Sequence, residues 1–110
     1  MSNFLLDKKD IKNIYKSSGN AGCIASNRIT VDGMKVGYMY REESSLNFPD
    51  SGWRFFAGDE SDIYADNPKN FNIFDLNTIC NYDDSVMPFL GFPIGSSFIK
   101  EDGKFKEDNY

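Results

Sequence analysis

The stretch Asp50–Asp66, DSGWRFFAGDESDIYAD, joins the most apolar strand candidate of this chain to its most acidic segment. The strand candidate is Gly52–Ala57. Gly58-Asp59 then predicts a turn into a short helix capped by Asp59, because acids at a helix start suit the helix dipole. Asn67-Pro68 is expected to end that helix. The acids of this segment are Asp59, Glu60, Asp62 and Asp66.

Alternation along the strand candidate divides its large side chains between the two faces of a sheet. Trp53 and Phe55 share one face, and Arg54 and Phe56 share the other. Trp53 is the only tryptophan of the chain. It suits either a core anchor or a hot spot in an interface. We favour the core, because one face of the sheet must be filled first.

The composition predicts one domain that spans residues 1–110. Hydrophobic residues make up 40% and aromatic residues 15% of the chain, so a few large side chains are enough to build a core. No signal peptide and no stretch long enough to span a bilayer are recognised, so we expect a cytoplasmic protein. Cys23 and Cys80 are then expected to be free, buried thiols, with a disulfide between them left open.

The charge and the absence of histidine exclude several classes of function. A net charge of −5 argues against binding to nucleic-acid backbones and to anionic membranes, both of which need basic patches. It suits a basic protein partner, and it also suits plain solubility, which is the commoner reason for it. Without histidine the chain has no Ser-His-acid triad, no Cys-His pair and no histidine-based zinc site. A calcium loop at Asp59–Asp66 is disfavoured, because the segment lacks the alternating oxygen ligands and central glycine of an EF-hand.

Turn residues and periodicity predict the elements on either side. The N-terminal part gives an amphipathic helix at residues 7–18, a strand at Gly22–Val31 interrupted near Ser26-Asn27, and an Asp32-Gly33 hairpin turn into a returning strand, Met34–Arg41. The C-terminal part gives a helix capped by Asp75 with Leu76, Ile79 and Cys80 on its apolar face, a short helix Ser85–Leu90 capped at Asp83-Asp84, and a strand Ser96–Lys100 that turns at Asp102-Gly103. Together they predict an α+β fold, in which an N-terminal helix and short helices pack on an antiparallel sheet of four to six strands.

Four segments of the chain together resemble a known bacterial domain family. They are GCIASNRITVDGMKVGYMYRE at residues 22–42, DSGWRFFAGDESDIYADNPKNF at 50–71, FDLNTICNYD at 74–83 and GSSFIKEDGKF at 95–105. The family was first catalogued as a domain of unknown function and later labelled the thirty-third immunity-protein class of polymorphic toxin systems. The resemblance divides the chain into an N-terminal helical segment, residues 1–20, and a family-like α+β core, residues 21–107. It implies a cytoplasmic antidote that acts by stoichiometric binding.

Three functions follow for comparison. The first is an immunity protein that binds a cognate toxin, which a basic toxin domain would suit because residues 59–84 carry seven acids against one lysine. The second is a regulatory or scaffold module that pairs with itself or with another protein. An enzyme is disfavoured, and no catalytic residue, metal or cofactor is predicted. The residues expected to meet a partner are Trp53, Arg54, Asp59, Glu60, Asp62 and Asp66.

Overall fold

The computed structural model describes residues 4–17, 19–44 and 49–108. Within those residues six strands form one sheet in the order β4-β1-β3-β2-β5-β6, and the predicted α+β class is confirmed. The strands are β1 Gly22–Ser26, β2 Tyr38–Arg41, β3 Asp50–Phe56, β4 Phe71–Asp75, β5 Ser97–Glu101 and β6 Lys104–Glu107. The helices are α1 Asn27–Thr30, α2 Asp62–Ala65 and α3 Leu76–Tyr82, with 3₁₀ turns at Lys8–Asp10, Pro68–Asn70 and Asp84–Phe89.

The sheet is mixed, so the prediction of a purely antiparallel sheet is wrong. β1 and β3 run parallel, with Ile24 beside Arg54 and Ala25 beside Phe55, whereas the other neighbouring strands pair antiparallel. The cause is the connection after β1, which passes through α1 and forms β2 two positions away in the sheet. β3 then enters between β1 and β2 and runs in the direction of β1.

The predicted hairpin at Asp32-Gly33 is also wrong, because this dipeptide closes α1. Gly33 has the positive φ that the dipeptide predicts, 82°, but its N–H donates to the carbonyl oxygen of Ile29 in α1 at 3.2 Å. The strand before it ends at Ser26, where the sequence shows an interruption. The Oγ of Ser26 accepts from the N–H of Arg28 at 3.1 Å and caps α1. The returning strand is shortened to β2.

The predicted helix over residues 7–18 is not present. Within the part of that range that is described, which omits residue 18, only the 3₁₀ turn Lys8–Asp10 is helical. The rest lies along α3, whose side-chain amides bind its backbone: Asn81 Oδ1 accepts from Lys12 N at 3.0 Å, and Asn77 Oδ1 accepts from Tyr15 N at 2.9 Å. The amide nitrogens of both asparagines donate to the carbonyl of Lys12. These partners replace the backbone hydrogen bonds that a helix would have made.

The C-terminal elements confirm the sequence prediction more closely. α3 follows Asp75 and buries Leu76, Ile79 and Cys80. A 3₁₀ turn follows Asp83, whose Oδ1 accepts from the N–H of Ser85 at 3.1 Å. β5 and β6 form a two-residue hairpin at Asp102-Gly103, where φ is 51° and 78°, as a type I′ turn requires.

The core lies on one face of the sheet, which we call the helix-covered face. Trp53 and Phe55 of β3 point to it, together with Met39 of β2 and Phe98 of β5. α3 and the Asp84–Phe89 turn close it, because the buried cluster also contains Leu76, Ile79, Cys80, Val86 and Leu90. The prediction that Trp53 anchors the core is therefore confirmed. Its ring stacks on Phe55 and Phe98, with centroids 6.2 and 6.4 Å apart.

The buried carboxylate of Asp83 connects the segment after α3 to the sheet. Asp83 is 6% exposed, and its Oδ2 accepts from the backbone N–H of Val36 at 2.9 Å and from Nζ of Lys100 at 3.2 Å. Burial alone would raise the pKa of Asp83, but the hydrogen bonds from Ser85, Val36 and Lys100 outweigh it and hold that pKa below its ordinary value. The charged form is therefore the one that the fold stabilises.

We expect Asp83→Asn to lower the free energy of unfolding by about 1–3 kcal/mol at neutral pH, because buried donors lose a charged acceptor. Since the folded-state pKa is depressed, the carboxylate contributes stability above its unfolded pKa of about 3.9, and this is lost as pH falls through the folded pKa. Urea unfolding at pH 7, 4 and 3 measures this. The gap between wild type and variant should shrink below pH 4, and a gap that stays constant with pH would contradict the assignment.

Candidate functional site

The face of the sheet opposite the core, which we call the open face, carries large apolar side chains that the described residues cover only in part. The strand registers place these side chains together, since Tyr38 lies opposite Phe56 and Ile99, and Ile24 lies opposite Ile73. Ile73 is 58% exposed and Ile99 38% exposed. The face consists of Ile24, Tyr38, Tyr40, Arg54, Phe56, Phe71, Ile73 and Ile99.

Aromatic rings form the centre of the open face. Tyr40 and Phe56 are nearly parallel, with an interplanar angle of 14° and centroids 5.9 Å apart. Tyr38 is tilted against both rings at 5.9 and 6.0 Å, and Phe71 meets Phe56 edge-on at 5.6 Å. Phe71 in turn touches Tyr64, which brings α2 against the sheet. An aromatic surface that is this continuous and half-buried is typical of a binding site.

Two cavities lie side by side on this face. The first has a volume of about 540 Å³ and extends from Tyr38 and Gly37 to Asp59 and Glu60. The second, of about 420 Å³, extends over Ile24, Phe71 and Ile73. Tyr40, Phe56 and Ala65 line both, so the cavities are two halves of one groove between the sheet and α2.

Glycine at position 37 allows a close backbone approach at one end of the first cavity. A β-carbon on Gly37 would collide with the carbonyl oxygen of Ala57. A β-carbon on Gly58 would lie 3.7 Å from the Cα of Gly37. Gly37, Ala57 and Gly58 all line the cavity at this end.

Arg54 forms the floor of the second cavity and is 3% exposed. Its Nη1 and Nη2 donate to Oδ1 and Oδ2 of buried Asp50 at 2.9 and 2.8 Å, and its Nε donates to Oε2 of Glu42 at 2.7 Å. The Asp50 hydrogen bond, above all, raises the pKa of Arg54. The guanidinium thus makes three hydrogen bonds to two carboxylates, and its Nη1 also donates to the carbonyl of Trp53 at 3.1 Å, which keeps a buried charge compatible with an apolar face.

A bulge in β3 makes this ion pair possible. Gly22 pairs with Asp50 and Ile24 pairs with Arg54, so the three residues 22–24 of β1 lie opposite the five residues 50–54 of β3. In a regular strand Asp50 and Arg54 would lie about 13 Å apart, and the bulge shortens that separation. Gly52 sits in the bulge with φ of 91°, where a β-carbon would strike the carbonyl oxygen of Glu42.

The structure separates the six residues that the sequence singled out. Trp53 is fully buried on the helix-covered face, where its Nε1 donates to the carbonyl of Leu90 at 3.0 Å. Arg54 lies beneath the open face. The four acids lie at the margin of the groove or on α2, so a partner on the open face would meet acids but would not touch Trp53.

Two of the four acids are engaged within the chain. Asp59 accepts two hydrogen bonds from Arg28, at 3.1 and 2.6 Å, and these lower the pKa of Asp59. Glu60 accepts from the N–H groups of Ala57 and Gly58 at 2.8 and 2.9 Å. Asp59 is not the helix cap that the sequence predicted.

The cap of α2 is Ser61, whose Oγ accepts from Tyr64 N at 3.1 Å. The remaining acids, Asp62 and Asp66, are exposed and have no hydrogen bond or ion pair through their carboxylates within the described residues. Asp62 lies three residues before Ala65 and so shares its side of α2, whereas Asp66 is the residue next to Ala65 and caps the C-terminal end of the helix. Since Ala65 lines both cavities, this side of α2 borders the groove.

Sequence reasoning missed the contribution of other strands to this site. Alternation puts Tyr38 and Tyr40 on one face of their strand. The sequence nevertheless did not predict that Tyr38, Tyr40, Phe71 and Ile73 belong to the site. Local sequence contains no signal that this face is the one left open. Burial raises the pKa of Tyr40, with the nearby Glu42 carboxylate adding to the effect, so its hydroxyl stays neutral.

The cysteines and the acids do not form a reactive or metal-binding site in the described part of the chain. Cys23 and Cys80 are free and buried. Burial raises the pKa of both thiols, that of Cys80 to about 11, so the nucleophilic thiolate is scarce at neutral pH. No three potential ligands from His, Cys, Asp and Glu gather at one point among these residues. None of the helices described has both the length and the apolar character that crossing a bilayer demands.

A mixed six-stranded sheet with one open aromatic face defines a small α+β domain. Comparison with known families identifies the class: residues 23–109 match the model of the Immunity protein Imm33 domain. The chain therefore belongs to the Imm33 family, as the resemblance of its segments indicated. No curated protein and no solved structure matches it.

We expect Arg54→Met to cost about 3–5 kcal/mol of unfolding free energy, because it leaves the Asp50 carboxylate buried without a counter-charge. The double variant Asp50→Asn, Arg54→Met should lose less than the sum of the two single variants, since the two residues share one interaction. Arg28→Met, which breaks an exposed pair with Asp59, is the matched control and should have a smaller effect. Urea denaturation followed by Trp53 fluorescence gives these values. An Arg54→Met loss no larger than that of the control would show that the buried pair does not hold β3.

Proposed function

We propose that this chain is an immunity protein that binds a cognate bacterial toxin in the cytoplasm and neutralises it by stoichiometric occupation, without catalysis. Membership of the Imm33 family supports the general role. The single observation that carries the proposed mode is the open face, where aromatic and aliphatic side chains remain partly exposed across the sheet. We infer that the toxin lies on this face.

The composition of the open face matches what stable interfaces use. Aromatic side chains bury large areas at small entropic cost, and a few of them at the centre of an interface supply most of its affinity. Tyr40 and Phe56 are in that position on the groove, and Ile73 and Ile99 are at its edges. The floor is held by the buried ion pair of Arg54, so the surface is rigid before the partner arrives and loses little entropy on binding.

The charge of the surrounding surface supports a basic partner. Asp62, on the side of α2 that borders the groove, and Asp66, at the C-terminal end of α2, have unpaired carboxylates within the described residues. The whole chain has a net charge of −5. A negatively charged margin accelerates association with a positively charged domain and disfavours acidic competitors.

The same open face would serve a regulatory or scaffold module that has no toxin partner. The two functions differ in what the bound protein does when this chain is absent, and they are separated by a survival assay. A toxin domain expressed alone stops growth, whereas the partner of a scaffold does not.

We expect co-expression with the toxin domain encoded next to this gene to restore growth and to give a one-to-one complex on size-exclusion chromatography. Ile73→Lys on the open face should weaken the complex by about tenfold or more, because it adds a like charge and removes apolar contact. Leu5→Lys is the matched control: Leu5 is 57% exposed against 58% for Ile73, but it lies on the N-terminal segment. It should bind as wild type does.

Protection that fails with the wild-type chain, with no complex, would refute the proposed function. Equal weakening by Ile73→Lys and Leu5→Lys would place the toxin elsewhere on the surface. Circular dichroism of both variants checks that the fold is retained.

A further inference from the structure

We propose that the first cavity of the open face receives an arginine side chain from a basic segment of the partner. The guanidinium is then the chemical group that the groove recognises. Only the identity of the protein that carries this group rests on the proposed function. The guanidinium stacks against Tyr40 and Phe56, and the carboxylates at the α2 margin compensate its charge.

The rings have the arrangement that a planar cation needs. Tyr40 and Phe56 are inclined by only 14°, and Tyr38 is tilted by 41° and 43° against them, so the three rings form a shallow wall. All three line the cavity of about 540 Å³. The faces of such rings are electron-rich, and arginine stacks on them through its flat guanidinium while its methylene stem covers apolar surface.

The charged groups around this cavity favour a cation. Both oxygens of Glu60 hold one backbone N–H each and retain capacity to accept another hydrogen bond. Asp59 also lines the cavity, and Asp62 adds a carboxylate on the side of α2 that borders it, with Asp66 at the C-terminal end of that helix. The lysine in the lining, Lys100, does not cancel them, because its Nζ is held by Asp83 at 3.2 Å and lies 4.8 Å from the ring of Phe105.

The same charges disfavour other occupants of the groove. A phosphate or an acidic segment would meet the carboxylates of the margin without a free cation among the lining residues. A second copy of this chain would bring another net charge of −5. A purely apolar side chain would fill the cavity but leave the α2 carboxylates without a partner.

Peptide titration followed by ¹H–¹⁵N NMR tests this directly with the whole chain. The probes are acetyl-Leu-Arg-Leu-amide and two matched peptides that carry lysine or citrulline in place of arginine. Citrulline keeps the shape of arginine and removes its charge. We expect the arginine peptide to shift the amide signals of Gly37, Phe56 and Gly58, the lysine peptide to bind about threefold to tenfold more weakly, and the citrulline peptide at least about tenfold more weakly.

Two variants locate the charge that matters. Asp62→Asn with Asp66→Asn should weaken binding of the arginine peptide by about threefold to tenfold, because it removes the two unpaired negative charges of α2 and its C-terminal end beside the groove. Asp84→Asn is the control, since Asp84 is exposed but begins the 3₁₀ turn on the helix-covered face. Tyr40→Leu keeps the cavity apolar and removes one ring, and it should reduce the preference for arginine over lysine.

Three outcomes would overturn the inference. They are equal binding of the citrulline peptide, equal weakening by the Asp84→Asn control, and shifts confined to residues outside the groove. If the toxin complex forms while the arginine peptide fails to bind, the proposed function stands and this inference falls. If the peptide binds while no toxin is neutralised, the recognition chemistry stands and the immunity role falls.

Discussion

The buried ion pair between Arg54 and Asp50 is the interaction on which the rest of this structure depends. It closes a bulge in β3, the strand that runs between β1 and β2, and so fixes where the parallel pairing with β1 begins. The cost of burying a charge is offset by a counter-charge and hydrogen bonds, which Asp50, Glu42 and the carbonyl of Trp53 supply to Arg54. The bulge further requires a glycine at position 52, because the carbonyl of Glu42 occupies the space of a side chain.

From this strand the two faces of the sheet take different roles. Trp53 and Phe55 point into the core, where α3 and the turn after it complete the packing. Arg54 and Phe56 point the other way, beneath and within the aromatic groove. One strand therefore connects the stability of the domain with the shape of its open face. A change that loosens the Arg54 pair would be expected to alter both.

The sequence predicted the local elements best where one residue determines the backbone conformation of its immediate neighbours. The Asp102-Gly103 hairpin is of this kind, because turn geometry is a short-range effect. The helix after Asp75 also begins where the sequence predicts, although the Asp75 side chain makes no capping hydrogen bond. The sequence predicted wrongly where distant groups compete. The segment after Asp7 has helical periodicity, yet the amides of Asn77 and Asn81, more than 60 positions away, bind its backbone in another conformation. Gly33 has the positive φ that was predicted, but its N–H donates to the carbonyl of Ile29 in α1 and the dipeptide does not form a hairpin turn.

The sequence by itself determined the α+β class, the division of β3 into a core side and an opposite side, and the Imm33 family to which the chain belongs. These follow from alternation, turn chemistry and a set of segments that are readable along the chain. The tertiary structure alone decided that β1 and β3 run parallel, that Asp59 and Glu60 are held internally while Asp62 and Asp66 are exposed, and that the aromatic groove exists. The physical reason is that the groove is made by side chains from five strands, and strand order depends on packing and long-range pairing that no local pattern encodes.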